Sequence, residues 1–178
     1  MIELGLEKIE MGVWMPLLGR GIGIAVKSGN PLREFLCNQL NIAPEYLENR
    51  IQTLLINGQA VDDVGCVEVV GGDVIALSAA MPGLAGATLR RGSYLSAMRS
   101  EITQKGGTVP SGGDRPGMVI LKLFNMVATE IGPQILSGEF LLTPEDLRDL
   151  DARYPHLKLQ TRDLSGNDWI EVTIHLKG

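Results

Sequence analysis

The sequence predicts an α+β protein, in which a mixed sheet with a packed helix is followed by a small α+β region. Apolar residues alternate at Ile22, Ile24 and Val26, as they do in a half-buried strand. The stretch "NPLREFLCNQLNI" has helical spacing behind a capping residue. The stretch "GGDVIALSAA" is a glycine turn followed by an apolar strand, so both element types are indicated.

The amino-terminal residues predict a β-hairpin. Val13, Met15 and Leu17 alternate, and a glycine-rich turn follows at 19–21. The second strand of the hairpin is expected at 22–26. This hairpin would begin the sheet.

A helix is predicted next. Asn30 is a capping residue type and Pro31 suits the first helical position. Its apolar residues recur at helical spacing and define one face, formed by Leu32, Phe35, Leu36 and Leu40. We expect this face to pack on the sheet.

Three further elements precede residue 80. A short helical turn is predicted at 44–48, and "IQTLLING" predicts a central strand. That strand ends at Asn57-Gly58, a dipeptide typical of two-residue hairpin turns. A last strand is predicted from 73 to 79, after the second glycine turn.

A segment rich in glycine and proline divides the chain. Residues 106–117, "GGTVPSGGDRPG", are predicted to form a linker or long loop. The sequence therefore predicts a domain over 1–105 and a small α+β region over 118–178. It leaves open whether 118–178 folds independently or completes the first sheet.

The carboxy-terminal region predicts helix, short strand, helix and hairpin. Helical spacing from Ile120 to Ile131 favours a helix, although 119–123 could instead be a strand. A short apolar strand follows, and Thr143 should cap the next helix. The final hairpin is predicted from 157–162 and 169–176.

Positive charge clusters after the first region. A helix is predicted to begin near Ser93, and Arg90, Arg91 and Arg99 surround its start. These arginines are candidate contacts for a protein partner or an anion, and the alternative is a solvated helix entrance.

The bulk composition narrows the classes of partner. The net charge is −5 and the pI is near 5.1, which disfavours nucleic acid because phosphates would be repelled. No apolar run is long enough for a membrane span, and we expect a cytoplasmic protein. The mean hydropathy of +0.11 suggests that a homo-oligomer could cover apolar surface.

The inventory of chemistry-bearing residues is small. Cys37 and Cys66 have apolar neighbours and no metal-ligand spacing, so we expect both to be buried hydrophobes. His156 and His175 are the only histidines, and His175 is expected on a strand surface. We predict no metal site, no cofactor and no catalytic residue.

The pattern of residues 11–86 resembles the β-grasp fold of ubiquitin-like proteins, and most closely the bacterial sulfur carriers of molybdopterin and thiamine biosynthesis. The resemblance rests on the hairpin followed by "PLREFLCNQLNI", "LLINGQAVDD" and "GGDVIALSAAMPGLAG" in that order. It implies a helix wrapped by a mixed sheet. In that family a terminal Gly-Gly is adenylated and then carries sulfur.

The tail that matches this terminus is "MPGLAG". Gly86 holds the last glycine position, Ala85 replaces the glycine before it, and Gly83 lies upstream. Because Gly86 continues by an amide into the rest of the chain, it has no carboxylate to activate. A carrier would require proteolysis after Gly86.

Four functional hypotheses follow, of which the last is a structural homo-oligomer, suggested by the aliphatic composition and by the strand edges that an open β-grasp sheet would leave exposed. The first is a non-enzymatic β-grasp protein that acts through protein–protein contacts. The second is a small-molecule-binding protein or enzyme with a pocket between the two halves, for which the candidate polar groups are Asp62, Asp63, Asp73, Arg90 and Arg91. The third is the sulfur carrier released by proteolysis at Gly86.

Overall fold

A computed structural model describes residues 1–80, 83–92, 94, 115–159, 161, 164 and 168–176. The strands are β1 (Ile2–Leu6), β2 (Ile22–Ser28), β3 (Asn30–Pro31), β4 (Thr53–Ile56), β5 (Gln59–Ala60), β6 (Glu68–Val69), β7 (Val74–Ser78), β8 (Arg115–Phe124), β9 (Glu139–Leu142) and β10 (Ile170–Leu176). The helices are α1 (Met11–Arg20), α2 (Leu32–Glu34), α3 (Pro44–Asn49), α4 (Gly83–Leu89), α5 (Asn125–Leu136) and α6 (Pro144–Arg153). A π-helical turn, Phe35–Gln39, continues α2, and a 3₁₀ turn covers Pro155–Leu157.

Strands from both parts of the chain form one sheet. The order is β1-β10-β9-β2-β8-β7-β4-β5, with β1 parallel to β10 and β7 parallel to β8. The other neighbouring pairs in this sheet are antiparallel. The strands β8, β9 and β10 come from the carboxy-terminal part of the chain, so the described residues of that part complete the first sheet. The α+β class predicted from the sequence is confirmed.

The core lies between one face of the sheet and the helices. Val119, Leu121 and Leu123 of β8 alternate with half-buried or exposed residues and are themselves buried. Helix α1 packs on β8 and on α5, and Trp14 meets Phe140 edge to face with ring centroids 5.9 Å apart. The opposite face of the sheet is partly exposed.

Elements with strong local signals form as predicted. The β4–β5 hairpin turns at Asn57 and Gly58, both with positive φ, as this turn type requires. The side chain of Thr143 accepts a hydrogen bond from the Asp146 amide and caps α6. α3, β7 and β9 also lie where the sequence predicts them.

The predicted strand at 13–17 is wrong, because these residues belong to α1. The buried residues of α1 are Val13, Trp14, Leu17 and Leu18, and they follow the spacing of one helical face. The alternation of Val13, Met15 and Leu17 fits a strand equally well when Trp14 and Leu18 are ignored. Consequently β2 pairs with β8 rather than with a preceding strand.

The start of the next helix also differs. Asn30 does not cap it, because Asn30 and Pro31 form β3 and pair with β6. The residue before the helix is Pro31, and the helix starts at Leu32. The predicted apolar face is confirmed, since Leu32, Phe35, Leu36 and Leu40 are all buried.

The predicted boundary near residue 117 is also corrected. Residues 106–114 lie outside the described part of the chain, whereas Arg115, Pro116 and Gly117 begin β8. A Cβ at Gly117 would lie 2.9 Å from the Cα of Gly71, so this glycine permits two backbones to approach. Of the two alternatives for 119–123, the strand forms, and the helix favoured from Ile120 to Ile131 starts only at Asn125.

The predicted final hairpin does not form among the described residues. The strand β10 pairs with β9 and β1, whereas residues 155–157 form a 3₁₀ turn. Long-range pairing overrides the local pattern here, because β10 fills the gap between two strands distant in sequence. His175 is exposed on β10, as predicted.

Candidate binding cleft

Arg91 faces inward. Its guanidinium Nη1 donates to the Leu47 carbonyl at 3.0 Å and, at a longer distance, to the Ile51 carbonyl. Its backbone N–H donates to the Gln52 carbonyl at 2.7 Å. The side chain is only 12% exposed. Arg91 therefore fastens the end of α4 to the end of α3, and these donors are committed inside the protein.

Asp62 and Asp63 lie close to Arg91, but their carboxylates accept hydrogen bonds from backbone N–H groups of turns. The Asp62 carboxylate accepts from the Gly92 N–H at 3.3 Å, and the Asp63 carboxylate accepts from the Gly65 N–H at 2.8 Å. Asp63 also accepts from the Cys66 thiol at 3.1 Å. We call Asp62, Asp63 and Arg91 the turn cluster. Its polar groups are largely satisfied by the chain itself.

The remaining predicted site residues are dispersed. Asp73 belongs to another turn, where its carboxylate accepts from the Asn57 amide and the Val70 N–H, both at 2.8 Å. Arg90 is exposed at the end of α4, and Arg99 lies outside the described residues. The structure brings Arg91 and Asp62 together and leaves Asp73 apart.

The glycines of the tail lie in a helix. Gly83 and Gly86 both belong to α4, and Gly86 is buried. A protease needs an extended and accessible backbone, so cleavage after Gly86 would require α4 to open. The proteolytic release of a carrier stays a prediction.

The cysteines and histidines do not assemble a site in the described residues. The expectation that both cysteines are buried is wrong, because Cys66 is exposed and Cys37 is half-buried. The Asp63 carboxylate accepts a hydrogen bond from the Cys66 thiol, and this bond raises the pKa of the thiol. His156 is exposed on the 3₁₀ turn, where its ring contacts Tyr154 edge to face.

A concavity lies between the two halves of the chain. We call it the sheet cleft, and its volume is about 400 Å³. It lies among β2, the π-helical turn, the carboxy-terminal end of α5 and the start of β9. The residues that line it are Ile24, Ala25, Gln39, Leu40, Asn41, Gln134, Ile135, Ser137, Gly138 and Glu139.

The sheet cleft arises because β2 and β9 diverge. These strands are paired at Gly23 and Leu141 alone, so the ladder does not continue to Ala25 and Glu139. The Ala25 carbonyl instead accepts a hydrogen bond from Nε2 of Gln39. The Gln39 side chain thus takes the place of a strand partner at Ala25, and the space between β2 and β9 stays open.

Gln134 joins the walls of the sheet cleft. Its Nε2 donates to the carbonyls of Leu40 and Asn41, both at 2.8 Å. Asn41 has φ of 54°, a left-handed conformation that asparagine tolerates and that turns the chain at this point. The π-helical turn is thereby held against α5.

A second set of contacts, between Glu130 and the side chains of Tyr46 and Arg50, joins the same two parts of the chain, and we call it the brace. Glu130 of α5 accepts from the Tyr46 hydroxyl at 2.6 Å and pairs with the Arg50 guanidinium. The Arg50 and Tyr46 hydrogen bonds lower the pKa of Glu130. Burial and the Glu130 hydrogen bond raise the pKa of Tyr46, which keeps its hydroxyl proton for donation.

Sequence reasoning missed the residues of the sheet cleft. Gln39, Gln134 and Glu139 belong to no catalytic or ligand-binding motif, and glutamine amides carry no spacing signal for chemistry. The signal that existed was positional, because Gln39 and Gln134 both stand near predicted helix ends. Their meeting depends on the tertiary fold.

Within the described ranges, no three histidine, cysteine, aspartate or glutamate side chains are grouped as metal ligands. No helix in that part of the chain has the length and apolarity to span a bilayer. No family model, no curated protein and no solved structure matches this chain.

Proposed function

We propose that this chain is a non-enzymatic, β-grasp-related protein that acts through contacts with a partner protein, and that the sheet cleft receives part of that partner. The observation that carries the proposal is the open cleft between the two halves, with a volume of about 400 Å³. Its polar lining is mostly amide and hydroxyl groups, which suit recognition.

The element order bears on the β-grasp part of this proposal. The succession of α2, the β4–β5 hairpin and β7 supports it. The helix α1, in the place of the first hairpin strand, weighs against it. Partner contact by Arg90 and Arg99 stays a prediction. Because Arg91 donates to backbone carbonyls inside the protein, we test the sheet cleft rather than the arginines.

The test is to pan a library of displayed short peptides against the full chain and to measure the affinity of the selected peptides. Ala25 is exposed on β2 at the cleft, so Ala25→Trp should fill the opening. We expect binding to weaken about ten-fold or more, which is about 1.4 kcal/mol. Gln59→Trp, at an exposed position on the distant strand β5, is the control and should bind normally.

Selected peptides that bind Ala25→Trp as tightly as the unmodified chain would contradict the proposal. A second candidate, a small-molecule site in the same cleft, is favoured by its volume, since such sites span about 300–1,000 Å³. A melting temperature raised by nucleotides, pterins or acidic metabolites, without any peptide binding at the cleft, would support that candidate.

A further inference from the structure

The sheet cleft carries negative charge. Among the described residues that line it, Glu139 is charged and lysine, arginine and histidine are absent. Glu139 is exposed at the first position of β9, on the rim of the cleft. The formal charge of the lining therefore favours a positively charged group.

Two side chains of the lining, Gln134 and Ser137, use their donors inside the protein and keep acceptors at the cleft. Nε2 of Gln134 has two N–H groups, and both are directed at backbone carbonyls. A carbonyl can only accept, so the amide orientation is fixed and Oε1 keeps its lone pairs. The Ser137 hydroxyl donates its single proton to the Pro133 carbonyl at 2.8 Å, which again leaves only lone pairs.

A helix terminus adds to this polarity. The helix α5 ends at Leu136, next to the lining residues Gln134, Ile135 and Ser137. The carboxy-terminal end of a helix carries a partial negative charge and stabilises cations nearby. The π-helical turn after α2 also ends at the cleft, at Gln39.

The inner side of the sheet cleft is aliphatic. Ile24, Leu40 and Ile135 are buried, with exposed fractions of 3%, 8% and 4%. Lysine and arginine lay their methylene stems on apolar surface while the charged head stays among polar groups. An apolar inner side below the Glu139 carboxylate and Oε1 of Gln134 matches such a side chain.

We propose that the sheet cleft binds a basic side chain of a partner protein, with the methylene stem on Ile24, Leu40 and Ile135 and the cationic head at Glu139 and Oε1 of Gln134. This inference rests on the proposed function, because it names the chemistry of the group that the cleft receives. Charge complementarity selects this occupant.

Paired probes that differ only in a terminal ammonium group test the inference. N-acetyl-lysine methylamide and N-acetyl-norleucine methylamide are titrated separately into the full chain, labelled with ¹⁵N. The lysine probe should shift the amide signals of residues 39–41 and 134–139. The norleucine probe should bind at least about five-fold more weakly, since it lacks the ion–carboxylate contact. Equal affinities, or shifts confined to other residues, would overturn the inference.

A pair of variants locates the charge. Glu139→Gln should weaken the lysine probe about three-fold, as expected for a solvent-accessible ion pair. Glu3→Gln removes an equal charge from exposed β1 and is the matched control. The difference between the two variants should shrink as salt is added. Identical affinities for both variants would place the cation elsewhere and overturn the assignment.

Two outcomes separate this inference from the proposed function. If displayed peptides still require an open cleft while the lysine probe leaves residues 39–41 and 134–139 unshifted, the basic-group inference fails and the proposed function stands. Spermidine is a third probe. If it shifts these residues and the lysine probe does not, a free polyamine is the occupant, and the partner side chain is overturned.

Discussion

The turn cluster and the sheet cleft use polar residues in opposite ways. In the turn cluster, Arg91 and Asp63 bear the groups that sequence reasoning associates with function, yet backbone groups and a thiol take up their hydrogen bonds. In the sheet cleft, Gln134 and Ser137 also bind backbone carbonyls, but each keeps acceptor lone pairs at an opening. The charged residues of the sequence pointed to the turn cluster, where the hydrogen bonds are already made. The sheet cleft was found only from the geometry of the fold.

This difference separates two physical roles for a polar side chain. A group that satisfies buried backbone carbonyls stabilises the fold, because an unpaired carbonyl in the interior is costly. A group at a concave surface can exchange water for a ligand. The variants below test whether the two regions behave as this distinction predicts.

The largest effect is expected in the turn cluster. Arg91→Met keeps the aliphatic stem but leaves the Leu47 carbonyl without its guanidinium donor. We expect the free energy of unfolding to fall by about 2 kcal/mol, measured by urea denaturation. Arg33→Met is the control, because Arg33 makes an exposed ion pair with Glu48, and it should cost less than about 1 kcal/mol.

The sheet cleft should be less sensitive to the equivalent change. Gln134→Met removes two hydrogen bonds, but water can reach the rim and replace them, so the expected loss is about 0.5–1 kcal/mol. A loss for Gln134→Met equal to or above that for Arg91→Met would break the comparison. Gln134 would then stabilise the fold as much as Arg91 does.

The brace beside the sheet cleft predicts a pH dependence. Arg50 and Tyr46 lower the pKa of Glu130 in the folded protein, below the value of about 4.3 for the unfolded chain. The stabilisation is therefore present above the unfolded pKa and is lost as the pH falls through the folded pKa. Melting temperatures measured from neutral to acidic pH should show this loss, and Glu130→Gln should remove it.

A matched variant controls for general acid effects. Glu68 is exposed on β6, and Glu68→Gln should leave the acid dependence as it is in the unmodified chain. If Glu130→Gln and Glu68→Gln give the same pH profile, the brace does not stabilise the walls of the sheet cleft.

The smallest effect concerns the reactivity of Cys66. Asp63 raises the pKa of this exposed thiol, which lowers the thiolate fraction at neutral pH and slows alkylation. Asp63→Asn should accelerate iodoacetamide labelling of Cys66 by about three-fold, measured by mass spectrometry of the Cys66 peptide. Cys37 in the same sample is the internal reference, and an equal change at both thiols would show that the fold had loosened.

Local signals predicted much of the fold. The Asn57-Gly58 turn and the Thr143 cap depend on backbone preferences of a few adjacent residues, so a single sequence suffices to place them. The helix α1 replaces a predicted strand because Val13, Met15 and Leu17 alternate, whereas the helical spacing includes the buried residues Trp14 and Leu18. Residues 119–123, for which helix and strand were both open, form a strand because pairing between β2 and β7 buries alternate residues.

The candidate site could not be predicted from the sequence. Gln134 and Leu40, joined by a hydrogen bond at the sheet cleft, are 94 residues apart. The pairing of β2 with β9 stops after one position, and no local pattern in either strand encodes that stop. Residue type drew attention to Arg90, Arg91 and the aspartates instead.

By itself the sequence determined the α+β class, the capped and turn-bounded elements and the aliphatic face of each, because these follow from preferences within a few residues. Only the tertiary structure decided that eight strands of the described residues share one sheet, that Arg91 donates to backbone carbonyls, and that an opening lies beside Glu139. Such features depend on which distant segments meet, since hydrogen-bond satisfaction and burial are properties of the packed chain.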